Sequence, residues 1–345
     1  MGRTAQVLLV LGPAVALCLA TTPRGHVCFV RHGQSVHNQA KLFTGWLDVD
    51  LTPVGREEAA AAAGLLIERG LSFDVAFTSS LVRAQETLDI ILDVTGQRAE
   101  IQCHRDFRLN ERHYGKLQGQ SKEKAVQEYG REQVKMWRNG FRAAPPPLDA
   151  ADPLHPAHDP AYAHLPRDAL PNSESLHDTM KRTVPFWMEC VLPELEAGRN
   201  VLISAHAHSI RSLVKYIDSI SDDDIARVSL PNGLPLLYAL SEDLTPLPPR
   251  VRSLDACGLP SLLNAEFLGD QSELSARLNR DSEVIGLDCP LPPPLEEADP
   301  EGGREGEGGE DALKAQLLDA ELDAKLDAKL DAKLGTQQIV GVSPL

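Results

Sequence analysis

The sequence predicts an α/β fold of three layers, with a mostly parallel sheet between helices on both faces. Short apolar runs at 27–30, 74–78 and 201–205 alternate with longer segments of helical pattern. The runs at 27–30 and 201–205 are continuously apolar, as in strands covered on both faces. Both also end in a histidine turn, Arg31-His32-Gly33 and His206-Ala207-His208. The carboxyl ends of strands are where open α/β sheets keep their ligand crevice.

The elements follow in order. After the strand at 27–30, Thr52 supplies an N-cap and Pro53 an N1 proline for an alanine-rich helix over 56–69, stopped by Gly70. A strand at 74–78 leads to a helix over 81–94 with Arg83 in its first turn. A short strand near Ile101 precedes 108–115, which is too polar for a core element. The pattern predicts a helix over 122–140, and another over 173–195. Between them, 144–171 is rich in Pro, Asp and His and reads as a long loop of the kind that forms functional lids, with His155, His158 and His164 on its surface. The strand at 201–205 is followed by a helix through Lys215, a strand at 234–240 and a further helix opening at Phe267.

The two ends differ in composition from the middle. Arg3, an apolar run over 7–20 and the small-residue site Cys18-Leu19-Ala20 predict a secretory signal peptide at 1–20, with an uncleaved extension as the alternative. A leader points to a secretory route or an organelle; without it the chain is expected in the cytoplasm. The run is short for a membrane span and contains Pro13, so no stable span is expected. The catalytic domain is assigned to 26–285 and a low-complexity tail to 286–345. The stretch 289–311 is rich in Pro, Gly and Glu and is expected to be disordered. A Leu-Asp-Ala-Lys repeat over 322–334 then predicts a marginal helix, because Asp319, Asp323, Asp327 and Asp331 stack as like charges at i,i+4. A partner for this tail is left open, and a homodimer is admitted.

The 345 residues carry a formal net charge of −16. A chain this acidic lacks the basic face that nucleic-acid binding needs. An anionic substrate therefore calls for a local basic pocket inside an acidic body. The six cysteines are scattered, with no CxxC pair, and read as reduced thiols. His206 and His208 stand at i,i+2, but no Cys or carboxylate cluster joins them, so no metal is expected.

Four pieces fit one chemistry. His32 follows a buried strand and can accept a phosphoryl group on a neutral ring nitrogen, provided the other nitrogen donates to a backbone carbonyl. Arg31, Arg83 and a protonated His206 can stabilise the charge on the transferred group. Glu111, in the polar loop beside Tyr114, can give or take the proton on the substrate oxygen. This set needs no metal.

The segments Arg31-His32-Gly33-Gln34-Ser35 with Asn38, Phe43-Thr44-Gly45-Trp46, and Arg108-Leu109-Asn110-Glu111-Arg112-His113-Tyr114-Gly115 resemble those of the cofactor-dependent phosphoglycerate mutases of the histidine phosphatase superfamily. Pro145-Pro146-Pro147, Glu174-Ser175-Leu176 and Leu230-Pro231-Asn232-Gly233 fall where that family has similar segments. The resemblance implies interconversion of 3-phosphoglycerate and 2-phosphoglycerate, small phosphorylated three-carbon acids, in glycolysis and gluconeogenesis. It also implies 2,3-bisphosphoglycerate as the cofactor that primes a phosphohistidine at His32. By position it puts Ser35, Asn38, Thr44, Gly45, Arg112, Tyr114, Lys122 and Arg138 in the substrate pocket, together with Asn139, Ala207 and His208. Ser35 stands where the related bisphosphoglycerate mutases carry glycine, which favours the monophosphoglycerate reaction.

Several positions depart from the family. Arg138-Asn139 replaces two adjacent arginines, and His206-Ala207-His208-Ser209 replaces His-Gly-Asn-Ser. Asn232 stands for threonine and His37 for tryptophan. Two alternatives to the mutase remain: a phosphatase of the same superfamily, in which water takes the phosphoryl group, and a non-catalytic binding protein.

Overall fold

The computed structural model describes residues 23–253, 261–270 and Leu274. The expected signal peptide, the tail and its repeat lie outside the described residues.

Among the described residues six strands form one sheet: β1 (Gly25–Arg31), β2 (Val75–Thr78), β3 (Gln102–Arg105), β4 (Val201–Ala205), β5 (Pro235–Leu240) and β6 (Glu266–Phe267), in the order β3-β2-β4-β1-β5-β6. The pairs β3–β2, β2–β4 and β4–β1 are parallel, while β5 and β6 add antiparallel strands at one edge. The helices are α1 (Val36–Gln39), α2 (Pro53–Glu68), α3 (Val82–Thr95), α4 (Lys122–Tyr129), α5 (Arg131–Asn139), α6 (Leu176–Phe186), α7 (Leu192–Glu196) and α8 (Ala207–Ile217).

Alternation along the central strands builds the two core layers. Cys28 and Val30 of β1, with Ala76 and Leu202, pack on Ala62, Ala63 and Leu66 of α2 and on Leu88, Ile91 and Leu92 of α3. Val27 and Phe29, with Phe77 and Ile203, pack on Phe186 of α6 and on Ile210 and Leu213 of α8. Residues one apart on a strand point to opposite faces, so one apolar run serves both layers. This is the three-layer α/β arrangement expected from the sequence.

Four local expectations are corrected. The single helix over 122–140 is two helices, because Gly130 breaks it at φ +83. The helix over 173–195 begins at Leu176 and is interrupted by a π-helical segment, Trp187–Val191, between Pro185 and Pro193. Each proline removes one backbone donor, and the wider turn accommodates the lost bonds. The further helix does not open at Phe267, which pairs with Leu236 at the sheet edge; Leu274 beyond it is helical and donates its N–H to the Asp270 carbonyl at 3.0 Å. The loop over 144–171 is packed in place, with Tyr162 and Leu170 against Trp46, and His155 is buried rather than on the surface.

Cys28, Cys103 and Cys190 are free thiols. Among the described residues no helix is long and apolar enough to cross a membrane.

Candidate active site

Backbone register brings the two histidine turns together. Arg31 at the end of β1 pairs with Ala205 at the end of β4, and the His32 N–H donates to the Ala205 carbonyl at 3.0 Å. The next residue on each strand is therefore a histidine beside a histidine, with ring centroids 5.0 Å apart. Three contacts fix the turn after β1. The Asn232 side-chain amide donates to the His32 carbonyl at 2.7 Å, and the Gln34 N–H donates to Glu58 at 2.8 Å. Gly33 lies so close to α2 that a Cβ there would stand 2.0 Å from the Gly55 carbonyl.

The tautomer of His32 leaves one ring nitrogen able to act as a nucleophile. His32 Nδ1 lies 2.7 Å from the Gly33 carbonyl, which can only accept, so Nδ1 carries the proton and Nε2 presents its lone pair. Burial, then Arg83 and Arg31, hold its pKa well below the ordinary histidine value. Arg83 donates from Nε to His32 Nε2 at 3.3 Å, and its other nitrogens donate to the Leu47 and Gly45 carbonyls at 2.9 and 2.8 Å. Burial lowers its pKa to about 10, which leaves it cationic at neutral pH. Arg31 donates to the Leu230 carbonyl at 2.7 Å.

The surroundings of His206 in the protein oppose the protonated form expected beside a phosphoryl group. His206 is fully buried, and burial, Arg83 and His32 hold its pKa well below the ordinary value. Its Nε2 lies 2.7 Å from the Ser79 hydroxyl, which in turn accepts the Leu81 N–H at 3.1 Å. The ring is therefore neutral. A phosphoryl dianion beside it would favour its protonation.

Glu111 follows a short 3-10 turn, Phe107–Leu109, and its loop is held from below by Arg182. Arg182 grips Glu174 through two nitrogens at 2.7 and 2.9 Å and donates to the carbonyls of Arg108, Asn110 and Glu111 at 2.7, 2.8 and 3.0 Å. Glu174 also accepts the His113 N–H at 2.8 Å. Glu111 Oε1 accepts the N–H of Arg112 at 2.8 Å and that of His208 at 3.1 Å, and lies 3.1 Å from His208 Nδ1. Burial pushes the Glu111 carboxyl up, but His208, His206 and the Arg112 N–H together bring it well below the ordinary carboxylate value.

The remaining expected residues divide into groups. Ser35 and Asn38 bond to each other as a capping box at the start of α1. Thr44 accepts the Leu47 N–H and Gly45 accepts from Arg83, which ties this turn to His32. Arg112 lies 4.7 Å over the Tyr114 ring and is fully buried, and its Nε and Nη1 have no hydrogen-bond partner in the protein. Lys122 is half-buried at the start of α4, where its N–H donates to Lys41. The Arg138 carbonyl, at the end of α5, faces His208 Nε2 at 3.0 Å and accepts from Arg112 and Arg211 at 3.3 and 3.4 Å. Asn139 contributes its carbonyl to Arg211 at 3.2 Å, and Ala207 opens α8.

Ser79, Arg182, Arg211 and Asn232 are the residues the chemical reading of the sequence did not select. Arg211 is the notable one, since its buried guanidinium stands on the carbonyls of Arg138 and Asn139. Among the described residues no group of three or more His, Cys, Asp or Glu could hold a metal.

Solved structures share this fold. A mycobacterial hydrolase (hydrolase 1) is 24% identical with a TM-score of 0.50, over 62% of this chain and 89% of its own. A mycobacterial glucosyl-3-phosphoglycerate phosphatase complexed with VO3 matches at 24% identity and a TM-score of 0.50, over 64% of this chain and 93% of its own. A candidate alpha-ribazole-5'-P phosphatase from Escherichia coli matches at 19% identity and a TM-score of 0.50, over 72% and 97%. At these identities the likeness is one of fold. The family model of the histidine phosphatase superfamily (branch 1) matches residues 27–155 and 148–234, more than half of the sequence and the whole of the site just described. The chain belongs to the histidine phosphatase superfamily, branch 1.

Proposed function

We propose that this chain is a phosphohistidine enzyme that takes the phosphoryl group of a small phosphate monoester onto His32 and releases it to water. The observation that carries the reading is the His32 tautomer: Nδ1–H is committed to the Gly33 carbonyl, and the neutral Nε2 faces Arg83. In the first step Nε2 forms the P–N bond as the P–O bond to the leaving alcohol breaks, and that oxygen takes a proton at Glu111. In the second step water attacks phosphorus, the P–N bond breaks, and the water's proton passes to Glu111. Arg31 and Arg83 stabilise the charge on the transferred group.

Hydrolysis is favoured over transfer to a second phosphoglycerate by the acceptor side of the pocket. Asn139 supplies a carbonyl where the resembled mutases have a second arginine, and the His208 imidazole stands on Glu111 in place of a small amide. Losing one charged hydrogen bond weakens acceptor binding by ~1–3 kcal/mol and leaves water the better competitor. Phosphatases such as the mycobacterial one above show that this fold accommodates hydrolysis.

A second reading, the 2,3-bisphosphoglycerate-dependent mutase, is favoured by the loop Arg108 to Gly119. Arg112 has two buried nitrogens without a protein partner, and that donor set fits the second anionic group of a bisphosphoglycerate. When bound, this cofactor supplies the first phosphoryl group to His32.

One experiment separates the two. Protein is incubated with 3-phosphoglycerate, with and without 2,3-bisphosphoglycerate, and both phosphate release and 2-phosphoglycerate are followed. Phosphate release without isomerisation supports the hydrolase; cofactor-stimulated isomerisation overturns it in favour of the mutase. His32→Ala removes either activity, and a variant that kept wild-type turnover would sink both.

A further inference from the structure

The His208 ring is in a position that a neutral imidazole cannot satisfy. Its Nε2 lies 3.0 Å from the Arg138 carbonyl, and its Nδ1 lies 3.1 Å from Glu111 Oε1. A carbonyl oxygen only accepts, and so does a carboxylate oxygen. Neutral imidazole has one N–H, so with Glu111 ionised one of these two contacts would set lone pair against lone pair. The geometry closes only with one more proton, either on Nδ1 or on the Glu111 carboxyl. Oε1 already accepts two backbone N–H bonds, from Arg112 and His208 itself, which makes it a well-supported acceptor for a third donor.

We propose that His208 and Glu111 hold one proton between them, and that His208 is the positioning residue through which Glu111 is loaded to protonate the leaving-group oxygen. This rests on the phosphohistidine reading above. In the first step the shared proton passes from Glu111 to the departing alkoxide, leaving Glu111 ionised and His208 neutral with its proton on Nε2. In the second step the attacking water returns a proton to the pair as inorganic phosphate leaves His32. Protons balance over the cycle, and no other acid is called for.

The surroundings oppose this proton and so keep it transferable. Burial, then the Arg112 charge on the Glu111 loop and Arg211 on α8 itself, pull the ring down, while Glu111 pulls it up; the balance of these leaves it at about 4. Tyr114 presents its ring edge-on to His208, with centroids 5.8 Å apart, and α5 contributes the Arg138 carbonyl. On the far side Glu111 faces His206 and Arg83. The carbonyl and the carboxylate attract the proton and the guanidinium groups repel it, so it is held by two opposed forces inside a buried site.

The test is a comparison of leaving groups in His208→Asn and His208→Gln, each checked for a native thermal melt. Two esters are used: 3-phosphoglycerate, whose alkoxide needs a proton, and p-nitrophenyl phosphate, whose phenolate does not. General acid catalysis contributes about 10²–10⁴-fold. The loss in kcat/KM on 3-phosphoglycerate, followed as total turnover, is expected to exceed that on p-nitrophenyl phosphate by tenfold or more. The basic limb of the 3-phosphoglycerate profile is expected to move to lower pH, since Glu111 alone holds its proton only there. Equal losses on the two esters with an unmoved profile would show a merely structural His208 and overturn the inference alone. Absence of acid-labile phosphate from the wild-type protein would overturn the phosphohistidine reading as well.

Discussion

Ser79, just past the end of β2, stands 2.7 Å from Nε2 of His206, just past the end of the neighbouring β4. The pair is buried, so loss of the hydroxyl leaves a ring nitrogen without its partner. An unsatisfied buried group costs about 1–3 kcal/mol. Ser79→Ala is therefore expected to lower kcat roughly tenfold or more, with Ser79→Thr recovering most of it. Steady-state kinetics on a phosphate monoester checks this.

The buried histidines make stability depend on pH in one direction. His32, His206 and His113 are all held below the ordinary value, chiefly by burial, with His113 at about 3. Below pH 6.5 the unfolded chain binds protons that the folded chain refuses, so stability falls as pH falls and levels off only beneath the folded values. Each such group contributes up to ~1.4 kcal/mol per pH unit. Urea midpoints are expected to drop between pH 6.5 and about 4 and to be flat with respect to these groups above 7. His113→Gln should reduce the slope.

The Arg182–Glu174 pair is mostly buried and carries the Glu111 loop on three further bonds. Removing one partner of such a pair typically destabilises by about 3–5 kcal/mol. Arg182→Met is expected to lose stability in that range and to lose activity in the remaining folded fraction, because the Glu111 carbonyl is released. Chemical denaturation together with turnover at low temperature measures both.

Gly33→Ala places a methyl 2.0 Å from a backbone oxygen, which no flexible side chain can relieve. Separating α2 from the turn would displace the His32 carbonyl and ring. Overpacking of this kind costs roughly 1–3 kcal/mol or more. The expected result is a folded but inactive protein; near-wild-type phosphorylation of His32 in that variant would argue against the close approach.

The strands, the helices that cover them and the candidate site residues around His32 and Glu111 were legible because each leaves a local signature. Apolar runs mark β1 and β4, Thr52-Pro53 marks the start of α2, and the residues around His32 and Glu111 are of types that carry phosphoryl chemistry. Ser79, Arg182 and Asn232 were not legible for the opposite reason. Each acts on a segment far away in sequence: Asn232 reaches His32, and Arg182 reaches the carbonyls of Arg108 to Glu111. Gly130 was hidden by helix-forming neighbours that favour continuation, although the backbone there turns left-handed. His155 was read as surface because its loop is polar, whereas Nε2 meets Asn172 at 2.6 Å, Nδ1 accepts the Ala157 N–H at 3.1 Å and the residue is buried.

The register between β1 and β4 has a consequence for assaying this protein. The bond from the His32 N–H to the Ala205 carbonyl is part of the strand ladder, and it is what seats the nucleophile beside its partner ring. A chain whose sheet has slipped by one residue, or has not zipped, has no place to accept a phosphoryl group even with every side chain present. On the phosphohistidine reading, acid-labile phosphate on His32 would then count native molecules one by one. It would serve as a folding reporter for variants and refolding trials, read by label retention without a spectroscopic probe.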